Sequence, residues 1–124
     1  MKTAATILTG LVAFLHFGFM YIEMFLWQSD FGLKTFGMTP EIAANSAVLA
    51  MNQGLYNGLL AGGLVWSFIT KNENAKLVLR TAILTMIVIA GGFGAATAKL
   101  SILFTQATPA ALALLFTRLS RSAS

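Results

Sequence analysis

His16 and Glu23 stand seven residues apart, and Thr9 stands seven before His16. A helix turns by about 100° per residue, so positions seven apart fall within about 20° of one another. The three therefore share one polar stripe, which Trp27 extends at its far end. Asn45, Asn52 and Tyr56 share a face further along the chain, with Gln53 and Asn57 on the adjoining face. A carboxylate, an imidazole and several carboxamides together can titrate, hold a cation and hydrogen-bond a polar solute. They are poorly suited to other chemistry. On one helix His16 and Glu23 are separated by about 10 Å of rise, too far to share one ion, and further strong ligands are missing, so neither a metal nor any other cofactor is expected. No cysteine is present and no serine stands beside His16, so no catalytic nucleophile is assigned.

The elements that carry these residues are long apolar runs. Of the 124 residues 57% are hydrophobic and 10% charged, against about 25% charged in ordinary soluble domains. The expected fold is all-α: one integral membrane domain over 1–124, built as a four-helix bundle with helices at about 4–27, 43–69, 77–97 and 102–119. Each run approaches or exceeds the roughly 20 residues that cross about 30 Å of hydrocarbon. The first is too long for a signal sequence and carries His16 and Glu23 where cleavage would fall. Residues 28–42 read as an interfacial loop. Thr39-Pro40-Glu41 then makes a helix start: a capping hydroxyl, a proline at the first helical position and an acid facing the positive helix end. The short connector Thr70 to Lys76 makes the second and third helices antiparallel neighbours, and the tail Ser120 to Ser124 is expected to fray.

The net charge of +4 carries topology rather than a nucleic-acid face. Lys2, Lys71, Lys76, Arg80, Arg118 and Arg121 fall on one side and only Lys34 and Lys99 on the other, placing both termini in the cytoplasm. The expected location is the bacterial inner (plasma) membrane.

Helices in lipid associate through close backbone approach and polar contacts. Gly54, Gly58 and Gly62, spaced by four with Ala61 and Gly63 beside them, offer one packing strip, and Ala90, Gly94 and Ala98, alongside Gly91, Gly92, Ala95 and Ala96, offer another. Either strip serves packing within the chain or a homodimer face. Pro109 cannot donate to the carbonyl of Thr105, which predicts a kink in the last helix. Counted from the helix ends, His16 lies near mid-membrane with Tyr56 and Asn57, and Glu23 lies further out near Asn52 and Gln53. Gln106 and Lys99 belong to the same outer half, where Lys99 either snorkels to the surface or pairs with Glu23. A central ionised side chain costs at least about 2.5 kcal/mol on insertion scales, so such groups face the bundle interior. The expectation is a polar pocket opening outward, lined by His16, Glu23, Asn52, Gln53, Tyr56, Asn57 and Gln106. The alternative is a sealed network that fixes helix register.

Tyr21-Ile22-Glu23-Met24-Phe25 with Trp27, the run NQGLYNG from Asn52 to Gly58 followed by Leu59-Leu60-Ala61, Gly94-Ala95-Ala96-Thr97, and Gln106 with Pro109-Ala110 resemble motifs of the domain-of-unknown-function 1304 family. The resemblance spans almost the whole chain. It implies a small four-helix protein of the bacterial inner membrane and brings no assigned activity.

Two readings compete. One is a transporter or binding protein for a small polar or cationic solute, with Glu23 as the proton- or cation-responsive group and His16 as a second titrating residue. The other is a non-catalytic accessory or assembly protein, in which the polar residues fix packing and the loop from Phe31 to Met38 meets a partner. A lipid- or quinone-directed enzyme, with His16 as base and Asn52 or Gln53 as oxyanion donors, lacks a nucleophile or cofactor signature. These residues leave the small-molecule ligand unidentified.

Overall fold

The computed structural model describes residues 1–122. Helix α1 (Lys2–Tyr21) continues without a break into a π-helical turn (Ile22–Leu26). Next come α2 (Asp30–Phe36), α3 (Pro40–Ile69) and α4 (Glu73–Thr97). A second π-helical turn (Leu103–Ala107) leads into α5 (Thr108–Ser122). No strand occurs among the described residues.

Capping side chains set where these helices begin. The Thr39 hydroxyl accepts from the Ile42 N–H at 3.3 Å, so α3 starts at Pro40, three residues before the apolar run. Asn72 does the same for α4: its Oδ1 accepts from the Ala75 N–H at 2.9 Å, and most of the expected connector becomes the first turn of the helix. The segment 28–42 is not wholly loop. Ser29 caps α2 by accepting from the Gly32 N–H at 3.2 Å, and Gly37, at φ +63°, closes the helix in the left-handed conformation that glycine adopts freely. Trp27 and Phe36 pack with ring centroids 4.7 Å apart, and the Trp27 indole donates to the Ser46 hydroxyl at 3.0 Å.

The irregularity expected at Pro109 is a π-helical turn. Thr108 donates to the carbonyl of Leu103, five residues back, just ahead of the proline that cannot donate at all. At the far end α5 continues through Ser122, and the Ser120 hydroxyl donates to the Thr117 carbonyl at 2.8 Å. The frayed tail expected from Ser120 is therefore helical as far as Ser122; Ala123 and Ser124 lie outside the described residues.

The chain forms two compact units. The first holds residues 1–15 and the chain from Leu60 onward, with Val12, Leu64, Leu84, Ile87, Ala110 and Ala113 in its core. Within it α4 packs against α5 and the π-helical turn before it. Gly91 makes the closest approach, because a Cβ there would lie 2.8 Å from the backbone nitrogen of Ala107 and 2.9 Å from its Cβ. Ala90, expected on this strip, is exposed instead, while Gly94 faces Ile102. The contact is carried one residue further along the turn. The second unit, His16–Leu59, contains the end of the first helix, α2 and most of α3.

Burial in both units favours small and polar side chains. Thr9, Ser67 and Thr117 are buried and donate to the carbonyls of Ala5, Leu64 and Ala113. Many large apolar residues face out: Phe14, Val48, Leu49, Ile69 and Phe93 are each 71–74% exposed. Two segments, Lys2–Leu26 and Glu73–Thr97, are long and apolar enough to cross a membrane. Only 28% of each apolar window is buried, unlike the core helix of a water-soluble domain. Helix α3 is longer, at 30 residues, but its run of amides dilutes its hydropathy.

Candidate functional site

The second unit brings together one pair of the residues singled out by type and spacing. Asn57 is 3% exposed, and its Nδ2 donates to Glu23 Oε2 at 2.8 Å. Glu23 is half-buried and sits second in the π-helical turn Ile22–Leu26. Such a turn carries an extra residue and re-aims its side chains relative to an α-helix.

Close backbone approach makes that bond possible. A Cβ on Gly54 would stand 2.7 Å from Met24 Cγ, 3.1 Å from Glu23 Cβ and 3.1 Å from the Met20 carbonyl oxygen. A Cβ on Gly58 would collide with Met20 Sδ. Gly62 departs from the expected strip: nothing lies within 4 Å of its would-be Cβ. Each four-residue step drifts by about 40°, so two steps carry Gly62 about 80° off the Gly54 face. The buried line on α3 instead runs through Ala43, Ala50, Gly54, Asn57, Ala61 and Leu64, alternating steps of three, four and seven.

The other expected lining residues differ in burial. Asn52, Gln53 and Tyr56 are exposed, with Tyr56 at 60%. They are rotated from Asn57 by about 140°, 40° and 100° around the helix. Polarity alone placed them inward, whereas burial on α3 follows small side chains. His16 is buried at 2% exposure and packs edge-on against Phe19, with centroids 5.7 Å apart. In the first unit Gln106 is half-buried within its π-helical turn, and Lys99 is exposed after α4. Among the described residues, no three His, Asp or Glu side chains come together as a metal site would require.

A second cluster escaped the reading of residue types. Residue type alone makes Arg80 a topology charge, yet it is 7% exposed. Its Nε donates to the buried Ser67 hydroxyl at 3.3 Å, and its guanidinium lies 5.0 Å from the centroid of the Phe68 ring. The available signal is its depth, since it is the eighth residue of a helix otherwise uncharged beyond its first turn.

The chain's relatives match it nearly end to end. The model of the family described as "Protein of unknown function (DUF1304)" matches residues 10–118. The uncharacterized protein YpaA of Lactococcus lactis subsp. lactis (strain IL1403) is 34% identical over 117 residues, covering 93% of this chain and 97% of that one. No solved structure matches the chain.

Proposed function

The chain belongs to the DUF1304 family, and we propose that it is a four-span protein of the bacterial inner membrane that binds or transports a small polar or cationic solute at Glu23. The single observation behind the solute site is the Glu23–Asn57 bond, in which a half-buried carboxylate is held by one buried amide. A carboxylate fixed through one oxygen keeps acceptor capacity on the other. Exchange of a proton for a cation at that oxygen needs no further catalytic group. The membrane reading draws on the large apolar side chains that cover the surface, because a water-soluble monomer rarely exposes such patches.

A lipid-soluble carbodiimide tests the solute site. It should modify Glu23 in native membranes, and tetraphenylphosphonium should slow that modification in proportion to its occupancy. Labelling at one rate with and without this and other small cations would defeat the binding reading.

The exposed face of α3 favours a second reading, an assembly protein. Asn45, Asn52 and Tyr56 lie on it, and Asn52 and Tyr56 flank the middle of a 30-residue helix. Amides at that depth in lipid seek partners on another chain. Asn52→Leu should then dissociate a complex while leaving carbodiimide labelling of Glu23 unchanged.

A further inference from the structure

The first unit contains a recess of about 350 Å³ whose wall includes Lys2, Glu73, Lys76, Arg80 and Ser120. Helix α1 supplies Lys2 from its first residue, the start of α4 supplies the next three, and the end of α5 supplies Ser120. Three cations thus meet one carboxylate. That carboxylate is already engaged, since Lys76 Nζ lies 2.6 Å from Glu73 Oε1 in the one ion pair among the described residues. Glu73 acts on Arg80 only through space, with no ion pair between them among the described residues, although a buried charge ordinarily requires a direct partner.

The guanidinium is held in place without being used up. Ser67 takes its Nε–H, and Phe68 lies against it. A guanidinium carries five N–H donors in a planar fork, so the four on its terminal nitrogens remain. Arg80 lines the recess, and no buried side-chain nitrogen or oxygen among the described residues lacks a partner. A planar fork backed by an aromatic ring and flanked by two ammonium groups matches a tetrahedral oxyanion.

We propose that this recess binds a phosphate group, with Arg80 as its fork and Lys2 and Lys76 as rim charges. One chemistry has two sources, an anionic phospholipid headgroup or a soluble phosphorylated compound. Ala5, Phe68 and Leu77 add apolar surface to the same wall, which suits a headgroup with glycerol and acyl chains attached. The lipid source rests on the membrane reading above; the anion site itself rests only on this geometry.

Native mass spectrometry of the full chain in mild detergent decides the first arm. Phosphatidylglycerol and phosphatidylcholine with the same acyl chains would be compared on wild type, Arg80→Gln and the rim variant Lys2→Gln/Lys76→Gln. The second arm reads the Tm shift with inorganic phosphate against chloride at equal ionic strength, and it needs no lipid. Retention of phosphatidylglycerol at least about tenfold above phosphatidylcholine, lost in Arg80→Gln and weakened in the rim variant, supports a lipid phosphate. A phosphate-dependent Tm rise without lipid discrimination, absent in the rim variant, supports a soluble phosphate. If wild type shows neither effect, or the rim variant matches wild type in both arms, the site is overturned. Should Arg80→Gln fail to fold, the rim variant decides alone. Failure of the lipid arm with a positive phosphate arm would count against the membrane source and leave the anion site standing.

Discussion

Asn57 donates its amide to Glu23 across 2.8 Å, joining a buried position on α3 to the π-helical turn that ends the first helix. A hydrogen bond to a charged group contributes about 1.5–3 kcal/mol in water-soluble proteins and less on average between helices in lipid. Asn57→Leu should therefore destabilise the protein by about 1–2 kcal/mol, because it strips the carboxylate of its donor. Glu23→Gln keeps a carbonyl that can accept the same amide proton and should cost less than about 0.5 kcal/mol, a neutral bond replacing a charge-assisted one. A double-mutant cycle read by denaturation in mixed micelles checks the coupling. Strictly additive losses would mean that the carboxylate charge adds nothing to the bond.

The glycines that bring these residues close should not respond alike. At Gly54 an added methyl meets a backbone carbonyl and the Glu23 Cβ, neither of which can yield, so Gly54→Ala should cost about 1–3 kcal/mol. At Gly58 it meets the thioether end of Met20, which can rotate away, so Gly58→Ala should cost less. Gly62 is exposed with open space around it, and Gly62→Ala should gain up to about 1 kcal/mol from helix propensity. Chemical denaturation of the three single variants gives the order. Equal losses at Gly54 and Gly62 would contradict this account of the strip.

These two predictions also mark what the residue pattern could and could not reveal. The all-α class was legible because apolar runs and capping residues such as Thr39 act locally. Helix α2 escaped notice because its signals, Ser29 and Gly37, bracket only seven residues and leave no periodic run to detect. Polarity points Asn52 and Tyr56 to the interior, but the inward line of α3 is fixed by the small residues Ala43, Ala50, Gly54 and Ala61. Asn57 follows that line, so a wheel weighted by side-chain volume would have separated it from Asn52. Charge counting makes Arg80 a topology marker because it ignores depth along a helix.

The four-span topology has a direct test, since the chain contains no cysteine and any introduced thiol is unique. Thr3, Asn74, Thr35 and Ala98 are all exposed. Thr3 precedes most of the first span and Asn74 opens α4, whereas Thr35 lies in α2 and Ala98 follows α4. With an odd number of crossings between the two pairs, a membrane-impermeant maleimide should label Thr35→Cys and Ala98→Cys in intact cells. It should reach Thr3→Cys and Asn74→Cys only after the membrane is opened. The excess of Lys and Arg around Thr3 and Asn74 sets the direction. Labelling of Asn74→Cys and Ala98→Cys from the same side would mean that α4 does not cross, despite its length and apolar surface. Labelling of Thr35→Cys only after opening would instead remove the first crossing, and with it the intramembrane position assigned to Glu23.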